Sequence, residues 1–153
     1  MHTIIRRFVT SVVAAVVLAT GSLAGAGIAN AAGATTWVFH FKCGTYLRAP
    51  NKWYYEARAY NQNNTLVGYA EFNADSSGSA PDDALRATDS YGDGYAVIAH
   101  LSTGRHISTG GHNSPYTTAW ATGNLPELTD YTIWVELAGN LESTVAPSCF
   151  AES

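Results

Sequence analysis

The chain is poor in charge, in cysteine and in helical pattern, and each shortage removes a class of function. Only 13% of its 153 residues are Asp, Glu, Lys or Arg, eight basic against twelve acidic. Two of the basic residues, Arg6 and Arg7, sit in an N-terminal leader. The remaining six (Lys42, Arg48, Lys52, Arg58, Arg86 and Arg105) face all twelve acids, a balance near −6. Without a lysine- or arginine-rich cluster, nucleic acid and anionic membrane are excluded as partners, because both are held through positive surface. Two cysteines 106 positions apart, with no C-x-x-C, argue against a thiolate metal site or a redox pair. No apolar run beyond the leader approaches the ~20 residues a bilayer requires, so no membrane span is expected after leader removal. Outside the leader no segment sustains a helical period of apolar residues. No serine lies in a G-x-S-x-G elbow.

What is present begins with export. Residues 1–31 read as a signal peptide: Arg6 and Arg7 form the positive start, Phe8 to Leu18 the apolar run, and Ala29-Asn30-Ala31 the small-residue cleavage site. The expected destination is extracellular. Cys43 and Cys149 then read as one disulfide, the usual state of an even count in an exported chain. Removal of the leader leaves about 120 residues, enough for one domain over 32–153 with a core of its own.

That domain alternates apolar and polar residues with period two, the mark of half-buried strands. Trp37, Phe39 and Phe41 alternate with Val38, His40 and Lys42. Trp53, Tyr55, Ala57 and Ala59 alternate with Tyr54, Glu56, Arg58 and Tyr60. Asn61-Gln62-Asn63-Asn64 supplies turn chemistry, since asparagine tolerates left-handed backbone. Leu66, Gly68, Ala70 and Phe72 carry the next strand, completing a hairpin. Further strands are expected at Ala84–Thr88, Tyr95–Leu101, Arg105–Ser108, Thr117–Thr122, Tyr131–Leu137 and Ser143–Ala146. Short strands at this spacing predict an all-β, two-sheet sandwich of about seven or eight strands.

The segment Leu125-Pro126-Glu127-Leu128-Thr129-Asp130-Tyr131, running on to Val135, resembles the corner of fibronectin III and immunoglobulin-like sandwiches. There a leucine and a tyrosine bracket a short turn, and the tyrosine hydroxyl bonds back to the backbone. The resemblance implies a fold type and no function. The run Arg86 to Leu101, with its Asp89-x-x-x-Asp93-Gly94 turn, resembles a strand–turn–strand of small secreted actinobacterial β-proteins. Some small secreted actinobacterial β-proteins are adaptors in umbrella-shaped antibacterial toxin particles. Size, export and disulfide use are similar here, and the resemblance implies a binding role without assigning a contact residue.

Chemistry-bearing residues point the same way. His40, His100, His106 and His112 lack the spacing of a metal site or a catalytic triad, so no metal, cofactor or catalytic residue is assigned. Asp89 and Asp93 echo the start of a calcium loop, but Tyr91 and His100 stand where two oxygen ligands belong. Asp82 and Asp83 are neighbours and would point apart on a strand. Aromatics are the surplus: alternation sends Trp37, Phe39, Phe41, Trp53, Tyr55, Phe72, Tyr95 and Tyr131 inward, leaving Tyr54, Tyr60, Tyr69 and Trp134 on faces that should be polar. Outward aromatics are enriched at protein contacts and also stack on sugars. The expected activity is a non-enzymatic binding module for a secreted or cell-surface protein. Its candidate contact residues are Tyr54, Tyr69 and Trp134, with His112, Asn113 and Tyr116 of the 109–116 loop. A carbohydrate- or cell-wall-binding module and a secreted hydrolase or protease inhibitor are the alternatives.

Overall fold

The computed structural model describes residues 37–153 apart from 51, 77 and 141, so the signal peptide expected over 1–31 lies outside the described residues. The described residues form strands and turns only. Ten strands follow one another: β1 (Phe39–Ala49), β2 (Lys52–Asn61), β3 (Leu66–Asn73), β4 (Ala84–Asp89), β5 (Ala96–Leu101), β6 (His106–Ser108), β7 (Tyr116–Thr117), β8 (Asp130–Ala138), β9 (Ser143–Val145) and β10 (Cys149–Glu152). They build two sheets, β1-β2-β3-β4-β7 and β10-β8-β5-β6, with β9 also on β8. All pairings are antiparallel. The all-β sandwich read from the sequence is what forms. It has ten strands rather than seven or eight, and the one with no counterpart in the sequence reading is β10, the four residues Cys149–Glu152.

Alternation places the core. Tyr131, Ile133, Val135 and Leu137 of β8 and Val97, Ala99 and Leu101 of β5 point inward from the second sheet. Ala57, Ala59, Ala70, Phe72, Leu85 and Ala87 meet them from the first. Gly68 sits where a side chain has no room: a Cβ there would lie 2.5 Å from the Thr88 carbonyl oxygen of the adjacent strand and 2.5 Å from a Val97 methyl of the facing sheet. Simple alternation would send Leu66 inward. A register shift between Ala59 and Tyr60 instead buries Val67 and leaves Leu66 half-buried, since a bulge changes the face of what lies beyond it.

Two further expectations change. Thr117–Thr122 is not a strand: pairing stops at Thr117, and only an isolated bridge joins Leu85 to Ala121. The Thr118 hydroxyl accepts from the Ala87 amide at 3.1 Å, so a side chain takes the acceptor role a ladder carbonyl would fill. Trp53, expected in the core, is 41% exposed. It faces inward by register, opposite Leu47. The exposure of both shows that the tip of the β1–β2 hairpin overhangs the second sheet.

The disulfide Cys43–Cys149 forms, with 5.5 Å between Cα atoms, and ties edge strand β1 to edge strand β10. The corner at 125–131 also forms. Leu125 is buried, and the Tyr131 hydroxyl donates to the Pro126 carbonyl at 3.5 Å. Inside that corner Leu128 adopts φ 55°, the left-handed region that a branched apolar side chain rarely occupies.

Candidate functional site

Beneath the overhanging hairpin the sheets part to leave a groove of about 580 Å³. Trp53 and Thr45 form the wall from the first sheet, Phe150 of the second sheet and Leu128 of the 125–131 corner the other, and Tyr55 and Ala74 the floor. The walls are apolar and uncovered: Phe150 is 56% exposed and Leu128 85%. Leu128 is held in place from both sides, because its amide donates to the Ser153 carbonyl and the Ser153 amide donates to Thr129. Left-handed backbone on a non-glycine residue costs about 1–2 kcal/mol. With 85% of it exposed, the Leu128 side chain buries too little apolar surface within the chain to offset that cost.

The polar lining is one-sided. Asp75, Glu127 and Glu152 all line the groove. Asp130 stands directly across from Glu152 in the β8–β10 register, and like charges in that position repel. Lys52 offsets Asp75 at 3.9 Å. Burial lifts the Tyr55 phenol above its ordinary value, and the charges of Glu152 and Asp75 lift it further, as a negative local field should.

The residues singled out from the sequence fall on three other surfaces. Tyr54 and Tyr69 lie on the outer face of the first sheet, and both are half-buried. Tyr54 stacks on Tyr46 at 5.1 Å, and Tyr46 in turn carries the Arg58 guanidinium at 5.0 Å. Arg58 also pairs with Glu56. Next to them Arg86 spans Glu71, at 2.7 Å, and the Trp120 ring, at 4.2 Å. Glu71 is 2% exposed, so this carboxylate sits beneath its neighbours. Lys42 over Tyr60 and His40 stacked on Tyr60 complete the array. Tyr46, Tyr54, Tyr60 and Trp120 are thus each met by a neighbour.

Trp134 lies on the second sheet, stacked on His100 at 5.1 Å and 3°. His100 Nε2 meets Glu136 at 2.9 Å, and the Ser143 hydroxyl donates to the same carboxylate. The Ser143 hydrogen bond, opposed by partial burial and aided by His100, holds the Glu136 carboxyl below its usual range. A hydrolytic triad needs the hydroxyl on the imidazole and the imidazole on the acid. Here the acid sits between the two, and Ser143 is not activated.

His112 and Asn113 line a polar hollow of about 470 Å³ beside the 109–116 loop; Tyr116 stacks on His112 at 3.8 Å, with a cis Ser114–Pro115 bond between the two. Asp89, which lines it, and the nearby Asp93 both accept from turn amides, although Asp93 Oδ2 is buried without a partner among the described residues. Asp89 accepts from the Tyr91 amide at 3.1 Å and from the Ser114 hydroxyl, and Asp93 accepts from the Tyr95 amide at 3.0 Å. Burial, together with Asp89, raises the Asp93 carboxyl above its usual value. Among the described residues no group of three or more His, Cys, Asp or Glu side chains is placed to hold a metal ion. No helix among the described residues is long and apolar enough to cross a membrane.

Sequence reasoning passed over Leu128 and Phe150. The signal it had was Phe150 beside Cys149, an aromatic next to a disulfide, and a second leucine inside the corner after Leu125 had taken the buried position. Compared with known proteins, the chain matches no family model, no curated protein and no solved structure.

Proposed function

We propose that the chain is a secreted, non-enzymatic binding module that engages another secreted or surface protein through the groove beneath the β1–β2 hairpin. One observation carries this reading: Trp53, Leu128 and Phe150 are exposed around a single concavity, and Leu128 does so in left-handed backbone. Protein contacts concentrate their energy in a few aromatic and aliphatic anchors near the centre of a patch, and these residues form such a patch. The leader-like residues 1–31 and the disulfide support an extracellular setting.

A pull-down from the secreted and envelope fractions of the producing cells tests it. The disulfide-intact protein serves as bait beside a Trp53→Ala, Leu128→Asn, Phe150→Ala variant of unchanged thermal stability. A stoichiometric protein captured by the first and lost with the second is the expected result. Equal capture by both removes the groove from the reading. Recovery of polysaccharide alone turns Trp53 into a sugar-stacking platform and replaces the proposal with a glycan-binding one.

A further inference from the structure

We infer that the groove receives a basic segment of its partner, an extended stretch in which arginine or lysine alternates with aliphatic residues. The inference rests on the groove being the binding site and adds the chemistry of what enters it. Three observations on the page meet there. The walls are apolar, from Trp53, Leu128 and Phe150, and match aliphatic side chains or the methylene stems of long cations. Among the described residues, the groups that line the groove include three carboxylates, Asp75, Glu127 and Glu152, and no cation; the donors are the Trp53 indole N–H and the Thr45 and Tyr55 hydroxyls, while the Ser153 hydroxyl already donates to Asp83 at 2.6 Å. A ligand rich in donors and positive charge satisfies that set. A neutral sugar could donate hydroxyls to these carboxylates but would leave their negative charge uncompensated.

The third observation is electrostatic. Asp130 and Glu152 face each other across β8 and β10. A cation between or beside them removes a repulsion that the free protein carries, so binding is favoured by relief as well as by contact. The exposed face of Trp53 supplies a second attraction for a guanidinium. Lys52 already lies at Asp75, which shows that the rim accepts an ammonium group from the protein itself.

Peptide titration of the ¹⁵N-labelled, disulfide-intact protein tests this, read at the Trp53 indole N–H signal and assigned with Trp53→Phe. The probes are a capped heptapeptide of alternating arginine and leucine, the same peptide with citrulline for arginine, and the hexamer of N-acetylglucosamine. Citrulline keeps the shape of arginine and removes its charge. The expected result is a saturable shift with the arginine peptide, at least about tenfold weaker with citrulline. Glu127→Gln with Glu152→Gln weakens the arginine peptide by a similar factor and leaves the citrulline peptide unaffected. Both substitutions preserve side-chain shape at positions that are not fully buried, and an unchanged near-ultraviolet spectrum verifies the fold. Equal affinity for the two peptides overturns the basic-segment inference and leaves the groove as a protein site. A shift with the sugar hexamer alone, or with no probe, overturns both.

Discussion

The outer face of the first sheet and the groove at its hairpin end are built from the same residue types, yet they are in opposite conditions. On the face, Tyr46 lies on Tyr54, Arg58 on Tyr46, and Arg86 on Trp120, while Glu71 is buried under its own ion pair. In the groove, Trp53, Leu128 and Phe150 are exposed, Phe150 with an edge contact to Tyr55 at 6.4 Å, and Glu152 stands opposite Asp130 in the strand register. An aromatic surplus therefore has two meanings. Where rings are stacked and cations cap them, the surplus is a second, polar core spread over a sheet. Where they are left open beside uncompensated charge, the surface is unfinished, and a partner is what would complete it.

The largest effect expected from perturbing this contrast comes from the disulfide, because Cys149 adjoins Phe150 and Cys43 lies two residues before Thr45. Replacing both cysteines by alanine releases a 106-residue separation and costs about 2–5 kcal/mol, measured by denaturant unfolding. The groove walls separate first, so partner capture is lost at denaturant concentrations where the tyrosine stacks still give their near-ultraviolet signal.

Arg86→Ala is next, at about 2–4 kcal/mol of stability with capture unchanged, since it leaves the buried Glu71 carboxylate without its main partner. A loss below about 0.5 kcal/mol, the scale of an exposed pair, would mean the face is not a polar core.

Trp53→Ala with Phe150→Ala inverts that pattern, weakening capture at least about tenfold and changing stability by less than about 1 kcal/mol. Leu128→Asn is expected to raise stability by about 0.5–1 kcal/mol, because asparagine tolerates φ 55° and exposes no apolar surface, while capture falls. A stability loss there would show that Leu128 packs within the chain after all.

The smallest effect is on pH. Glu136 has a lowered carboxyl pKa when folded, so its contribution is complete above the unfolded value and fades as pH falls through the folded one. Because the site is partly solvated, the contribution amounts to a few tenths of a kcal/mol. Glu136→Gln should flatten the acid limb of the unfolding midpoint against pH by that amount and leave the groove unaffected.

Much of this molecule was legible along the chain. Period-two alternation in Tyr55–Ala59 and Tyr131–Leu137 marked inward positions that the structure buries. The cysteine pair and the Leu125–Tyr131 corner were readable as local or compositional signals. Alternation also separated Tyr54, Tyr69 and Trp134 from the core. It could not say that Tyr54 is stacked on Tyr46, that Trp134 lies against His100, or that these residues sit on opposite sheets. Nor could it flag Trp53, which obeys the inward period and is exposed because the opposing sheet stops short of it.

The sequence by itself determined most of the strands, the inner faces of β2, β5 and β8 away from the hairpin tip, and the pairing of Cys43 with Cys149, because side-chain direction repeats every two residues and an even cysteine count leaves one partner each. Only the tertiary structure decided where the two sheets fail to cover one another. Coverage depends on the relative lengths and offset of strands far apart in the chain. The groove of Trp53, Leu128 and Phe150 lies at that offset, where three distant segments meet.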